Sequence, residues 1–358
     1  MSVILFFVLG LLGAKFAHRG EFFADNFSYD STRALKGIFA LAVLFHHLFT
    51  YLAESMPSLA FFENLGFLAV GGFFLISGYG LDYGMKCKKN YLHDFFRRRF
   101  LGILIPYYLI IPFYYFVRWK TAILTKEYII LSLFGVDIWF VGVIAVLYLS
   151  FYVSFRLFGR KWGALAQSVF TAAFALTMLI LYRRGIVAGF GFWYYNALPC
   201  FLIGMWYCEF QSEINRFFKA HYLPSLLLSL FIFAASFYYS FRVPEDAQRL
   251  YVLALEIFCT ASFSVVVLLL TMKVCPGNCL LNFCGDISFE FYLTHALWIY
   301  FLRSDLDLFG YTLYLASPDL YLAGVIVTTA ISSFAIHKLS KWIHGLLIGS
   351  RQIAKPSK

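Results

Sequence analysis

Ten stretches of about 20 predominantly apolar residues recur along the chain, near 34–53, 65–85, 100–118, 138–156, 163–182, 189–208, 222–241, 251–272, 286–303 and 319–338. Each is long enough to cross the hydrocarbon core of a bilayer as a helix, which takes about 20 residues. In lipid a spanning segment must satisfy its own backbone polar groups. The pattern therefore predicts an all-α, polytopic transmembrane helix bundle of about ten core spans. Composition agrees: 61% of residues are hydrophobic, 13% are charged, and the mean hydropathy is +0.76. Soluble domains carry about 25% charged residues. Forty-four Phe, 25 Tyr and 7 Trp suit lipid-facing surfaces and interfacial belts.

The N-terminal run "MSVILFFVLGLLGAKFA" is shorter than the ten stretches. It reads as an eleventh span, an interfacial helix or an uncleaved signal-like segment. No A-x-A-like cleavage site follows it, so it is expected to be retained. The expected organisation is an N-terminal hydrophobic helix and cytoplasmic loop over 1–29, a transmembrane domain over 30–345, and a short basic cytoplasmic tail over 346–358. No repeat, linker or soluble domain after the last span is expected.

The formal net charge is +10. In this setting the charge marks cytoplasmic helix ends and the lipid bilayer as partner, and no nucleic acid is expected. Placing Lys86, Lys88, Lys89 and Arg97 to Arg99 in the cytoplasm puts about 21 of the 29 basic residues inside and about 8 outside. Residues 54–64 then lie outside, and an N-terminal span would start outside. The location expected is a cell (plasma or inner) membrane, multi-pass. Cys275, Cys279 and Cys284 lack the tight pairing and His partners of a zinc site, so no metal is expected. Nothing in the pattern fixes an oligomeric state.

One apolar helix carries chemistry: "LKGIFALAVLFHHL", with Lys36 near one end and His46 and His47 within. Eleven residues at 100° and 1.5 Å each put Lys36 and His47 on nearly one face, about 16 Å apart along the axis. His46 is rotated by roughly 80° from that face. Intramembrane ionisable residues are costly and point to function, and His is suited to general-base work near neutral pH. Packing histidines bonded to neighbouring helices are the alternative.

Further segments carry motifs. In "GFLAVGGFFLISGYGL" (66–81), Gly66, Gly71, Gly72 and Gly78 permit close backbone contact, and Ser77 either faces a site or bonds back to its own helix. "YLHDFFRRRFLGILIPYYL" (91–109) opens on Arg97, Arg98 and Arg99, either an anion-binding cluster or a positive-inside anchor. In "CGDISFEFYLTHALWIY" (284–300), Ser288, Tyr292 and His295 are spaced four and three and share one helix face. His295 either lines a common interior with His47 or packs against another helix.

Together these segments resemble the acyltransferase 3 family of integral-membrane O-acyltransferases, over residues 30 to about 303. The family's Arg, ten residues, then catalytic His is matched by Lys36 and His47. His46 stands at the usual aromatic position. "DIWFVGVIAVLYLSFY" (137–152) and "NALPCFLIGMWY" (196–207) are similar to the family's intermediate helices and are read as packing and interface. The resemblance departs at Lys36, which keeps the charge without the guanidinium fork, and at Gly102, where a second Arg is usual.

The resemblance implies transfer of an acyl group, acetyl by preference, from cytosolic acyl-CoA to a hydroxyl of an envelope or lipid-linked glycan. Acyl-CoA enters as donor substrate, and no tightly bound cofactor is expected. His47, or His46, is the expected base or transient acyl carrier, with Tyr292 and Ser77 as oxyanion donors. Lys36, Arg33, Arg97, Arg98 and Arg99 are expected to bind the donor phosphates, and His295 and Ser288 the substrate. The competing class is a transporter or exporter of an acyl group, lipid-linked glycan or polysaccharide. Transporters often show internal repeats, and none is seen. A receptor or scaffold would leave the motif set unexplained.

Overall fold

The computed structural model describes residues 2–121, 123–185, 191–242, 249–303, 307–308 and 311–348. Helix dominates. In chain order the helices are α1 (Ser2–Leu11), α2 (Tyr29–Leu52), α3 (Gly66–Cys87), α4 (Leu101–Lys120), α5 (Lys126–Leu133), α6 (Trp139–Arg183), α7 (Leu198–Glu209), α8 (Gln211–Ala220), α9 (Tyr222–Ser240), α10 (Arg249–Thr271), α11 (Cys279–Asp286), α12 (Ser288–Phe301) and α13 (Pro318–Ile348). Strand is confined, among the described residues, to two two-residue ladders, Lys15–Phe16 with Val274–Cys275 and Asp307–Leu308 with Tyr311–Thr312.

Among the described residues, six helices are long and apolar enough to cross a membrane: Tyr29–Leu52, Phe96–Lys120, Trp139–Arg183, Tyr222–Ser240, Leu250–Thr271 and Pro318–Leu347. They carry seven of the ten expected stretches, because α6 holds two of them. Its 45 residues break at Gly159, whose φ of 63° lies in the left-handed region that glycine tolerates. The two arms fold back on one another. Gln167 Nε2 donates to Ser150 Oγ at 3.0 Å, and Ser154 Oγ donates to Gln167 Oε1 at 3.4 Å. The count of ten is not reached by length and apolarity. α3 is glycine-rich and carries Asp82 and Lys86. α7 has 12 residues and α12 has 14, against the roughly 20 a full crossing needs.

α1 has ten residues, about 15 Å of helix, too short to span alone. It lies beside the C-terminal half of α2. The Phe6 ring is 5.1 Å from Phe62 and 6.2 Å from Phe45, and Asn278 caps its far end by donating to the carbonyls of Leu9 and Leu12. The basic tail beyond residue 348 lies outside the described residues.

Two backbone-to-backbone contacts set the frame around the site. A side chain on Gly78 of α3 would strike the Phe201 carbonyl of α7, and one on Gly204 of α7 would strike the Leu75 carbonyl of α3. Likewise Gly37 of α2 abuts the Leu281 carbonyl of α11, and Gly285 of α11 abuts the Arg33 carbonyl of α2. Small residues at these crossings let the axes approach as in other membrane bundles. α2 itself starts cleanly: Ser28 caps it by accepting from Ser31 N at 3.2 Å, with Asp30 in the first turn.

α12 is gripped from two sides. Tyr114 of α4 donates to the Leu293 carbonyl at 2.9 Å. Towards α13, three side-chain hydrogen bonds form a zipper: Glu290 with His337 at 2.9 Å, Thr294 with Ser333 at 2.8 Å, and Trp298 with Ser332 at 2.9 Å. Residues 290, 294 and 298 are spaced by four and so share a face. That stripe is a different one from the stripe bearing Ser288, Tyr292 and His295.

Candidate active site

A cavity of about 830 Å³ opens between α2, α3, the start of α4, α6 and the α11–α12 junction. Its lining includes exposed Asp25, Tyr29, Tyr83, Lys88 and Arg98, which form the rim. Deeper lie Lys36, Ser77, Arg99, Ser288, Glu290 and Tyr292. Four cations therefore face one space: Lys36, Lys88, Arg98 and Arg99. Arg99 is positioned by its own contacts, donating from Nε to Tyr91 OH at 2.9 Å. Lys36 is hydrogen-bonded to none of the described residues, so its ammonium is available to an incoming anion.

The histidines lie beyond the inner wall of this space. Tyr292, a lining residue, has its ring 5.6 Å from that of His295. The His295 ring is 5.1 Å from His47, and His47 is 4.8 Å from His46. His295 is 3% exposed. Its Nδ1–H donates to the Phe291 carbonyl at 3.2 Å, and its Nε2 is buried without a partner. This fixes the tautomer: the nitrogen left over is a bare acceptor. Buried polar atoms are rarely left so, and an orphan at a site asks for a ligand. His47, by contrast, is exposed. His46 turns aside: its Nδ1–H donates to the Phe62 carbonyl at 3.3 Å, and its ring fills the space over Gly66.

Comparison with protein families matches residues 29–337 to the acyltransferase 3 family, described as an acyltransferase domain. The chain belongs to the acyltransferase 3 family. It is thus a membrane protein of an acyltransferase family. Neither the curated proteins nor the solved structures gave a match.

The acyltransferase 3 fold brings some of the expected residues together and not others. Lys36, Ser77, Arg98, Arg99, Ser288 and Tyr292 line one cavity. His47 and His295 meet each other at its inner end, and His46 serves the contact with Gly66. The Ser77 hydroxyl makes no hydrogen bond to a described residue, its own helix included. Two arginines stand apart. Arg33 does not line the cavity; it holds Asp286 in a two-pronged pair, Nε to Oδ1 at 2.6 Å and Nη2 to Oδ2. Its fork is therefore taken by a carboxylate and ties α2 to α11. Arg97 is exposed and also off the cavity, and its carbonyl accepts from His344 Nε2 at 3.1 Å.

Lys88, Glu290 and His337 are among the lining residues that sequence reasoning missed. Lys88 was visible only as a charge that oriented the chain. Glu290 sits inside the "SFEFYLTH" motif, where an acid in an otherwise apolar helix was the available signal. His337, a lone histidine in the last apolar stretch, carried no motif at all.

Proposed function

We propose that this chain is a multi-pass acyltransferase of the cell membrane that moves an acyl group, acetyl by preference, from cytosolic acyl-CoA to a hydroxyl of an envelope or lipid-linked glycan. The single observation that carries the reading is the cation-lined cavity that includes Tyr292, with the His295–His47 pair behind it. A polyanionic donor is drawn to Lys88, Arg98, Arg99 and Lys36; guanidinium groups hold phosphates through paired donors. A cavity of about 830 Å³ is in the range of sites for molecules of cofactor size, about 300–1,000 Å³. The pantetheine arm then carries the thioester inward, past Ser77 and Ser288, to Tyr292.

In this reading His47 takes the proton of the acceptor hydroxyl, or carries the acyl group transiently. Its exposure leaves it reachable by an acceptor that does not enter through the donor cavity. His295 Nε2, a bare acceptor, binds the acceptor hydroxyl or steadies the imidazolium formed at His47. Tyr292 and Ser77 supply hydrogen bonds to the oxyanion as the carbonyl carbon becomes tetrahedral.

The test needs no knowledge of the acceptor. Purified protein in detergent is assayed for acetyl-CoA binding and for its slow hydrolysis, beside His47→Ala and the Arg98→Ala/Arg99→Ala pair. Binding should weaken when the arginines are removed and hydrolysis should vanish with His47. A folded wild type that binds no acetyl-CoA would overturn the donor assignment and favour a transport role.

A further inference from the structure

The zipper between α12 and α13 has an odd rung. Thr294–Ser333 and Trp298–Ser332 are neutral pairs, adequate for holding two helices together in lipid. The third rung is a carboxylate and an imidazole, Glu290 and His337, with side chains only 9% and 15% exposed. Burying an ionised carboxylate is costly unless it is paired. The two neutral rungs do not line the cavity; the titratable one does.

A carboxylate in a cavity built for a polyanion would repel its ligand unless its charge were cancelled. His337 can cancel it by carrying a proton. His337 Nδ1 points to Glu290 Oε1 at 2.9 Å, and its Nε2 makes no hydrogen bond to a described residue. A carboxylate on one ring nitrogen, with the other free, is the arrangement of a proton-transferring histidine. Position matters as well. Glu290 precedes His295 by five residues on α12, about 7.5 Å towards the start of the helix. That end of α12 lines the cavity, on the cavity side of His295. When a thioester carbonyl reaches the inner histidines, its sulphur trails on the cavity side, where this rung stands.

We propose that His337, oriented by Glu290, is the general acid that protonates the thiolate leaving the donor; this rests on the acyl-CoA reading above. In the step, the acceptor oxygen attacks the carbonyl carbon. The C–O bond forms, the C–S bond breaks, and its electron pair goes to sulphur. The hydroxyl proton passes to His47 and the His337 Nε2 proton passes to sulphur. The products are an ester and a free thiol. His337 regains a proton through water in the cavity it lines, and His47 releases one on its exposed side.

The experiment compares two donors on the full-length protein, with water as acceptor: acetyl-CoA and 4-nitrophenyl thioacetate. The aryl thiolate, having the lower pKa, leaves without help. Removing a general acid typically lowers turnover 10²–10⁴-fold. His337→Gln should therefore lower the ratio of acetyl-CoA to aryl-thioester turnover by about 10²-fold or more. Glu290→Gln, which still accepts the Nδ1–H and so keeps the rung, should lower the ratio less, in the same direction, and serves alone if His337→Gln fails to fold. An unchanged ratio, with both donors slowed in parallel or neither slowed, would overturn the assignment and make the rung structural. A folded wild type without acetyl-CoA turnover but active on the aryl thioester would overturn the acyl-CoA reading, and this inference with it.

Discussion

Arg33 offers a sharp test because its two readings demand opposite responses. In a donor-binding role, Arg33→Gln weakens acyl-CoA binding, and Asp286→Asn strengthens it by freeing the guanidinium. In the geometry here the pair is a tie between α2 and α11, made possible by the close contact of Gly285 with the Arg33 carbonyl. Two unit charges about 4 Å apart interact by about 4 kcal/mol at an effective dielectric of 20. The side chains are 28% and 34% exposed, so solvent and salt screen much of this. A coupling of about 1 kcal/mol is the realistic expectation. In thermal melts of the detergent-solubilised protein, Arg33→Gln and Asp286→Asn should each lower the midpoint by about 2 °C. The double variant should fall no further than the worse single one. The coupling should shrink in high salt, since partly exposed pairs are screened. Acyl-CoA KM, measured on the same samples, should move little. Additive melting losses, with KM rising in Arg33→Gln and falling in Asp286→Asn, would refute the tie and return Arg33 to the donor site.

The neighbouring cations should behave differently. Loss of a charge-assisted hydrogen bond is worth about 1.5–3 kcal/mol, so Arg99→Ala should raise the acyl-CoA KM about tenfold or more, while exposed Arg97→Ala leaves it nearly unchanged; steady-state kinetics on both variants decides. His47→Ala should abolish transfer. His46→Phe should keep much of it, since the ring still fills the space over Gly66 and only one hydrogen bond, worth about 1 kcal/mol, is lost; full activity in His47→Ala sinks the assignment. Gly78→Ala should destabilise the α3–α7 crossing by about 1–3 kcal/mol, whereas Gly80→Ala on the same helix, with open space around it, should melt like wild type.

How far the site was legible follows from the range of each interaction. Ser288, Tyr292 and His295 share a face because helix geometry alone puts them there, and the spacing announced it. The close α3–α7 contact was foreshadowed on one side by Gly78 in an apolar run, whereas the α2–α11 contact at Gly37 and Gly285 was not. Both arms of α6 were visible as separate apolar stretches, and Gly159 joins them in one hairpin. What local pattern cannot carry is registry between distant helices. Arg33 and Asp286 lie 253 residues apart, and nothing in either segment announces the other. Hydropathy likewise overstates span length where a stretch is interrupted. The segment near 286–303 is helical as α12 only over Ser288–Phe301, α11 having ended at Asp286, and the segment near 189–208 starts its α-helix only at Leu198.

The two stripes of α12 explain why one short helix carries so much of the site. One stripe presents Ser288 and Tyr292 to the cavity and His295 to His47; the other locks Glu290, Thr294 and Trp298 to α13. A 14-residue helix is about 21 Å long, less than the hydrocarbon thickness of about 30 Å. It leaves room at its start for the cavity, which wraps the first turn through Asp286, Ser288 and Glu290. Tyr292 and His295 then stand between that cavity and exposed His47. A water-soluble thioester and a membrane or envelope acceptor need not share a route in such an arrangement. In the acyl-transfer reading proposed above, each would reach its own side of a wall made of Tyr292, His295 and His47. Were the wall only packing, His295 would have no reason to keep a bare nitrogen in its middle, and a ring of the same shape would serve. His295→Phe is therefore the substitution that separates a wall from a working surface. Retained folding with lost transfer marks the latter, and retained transfer marks the former.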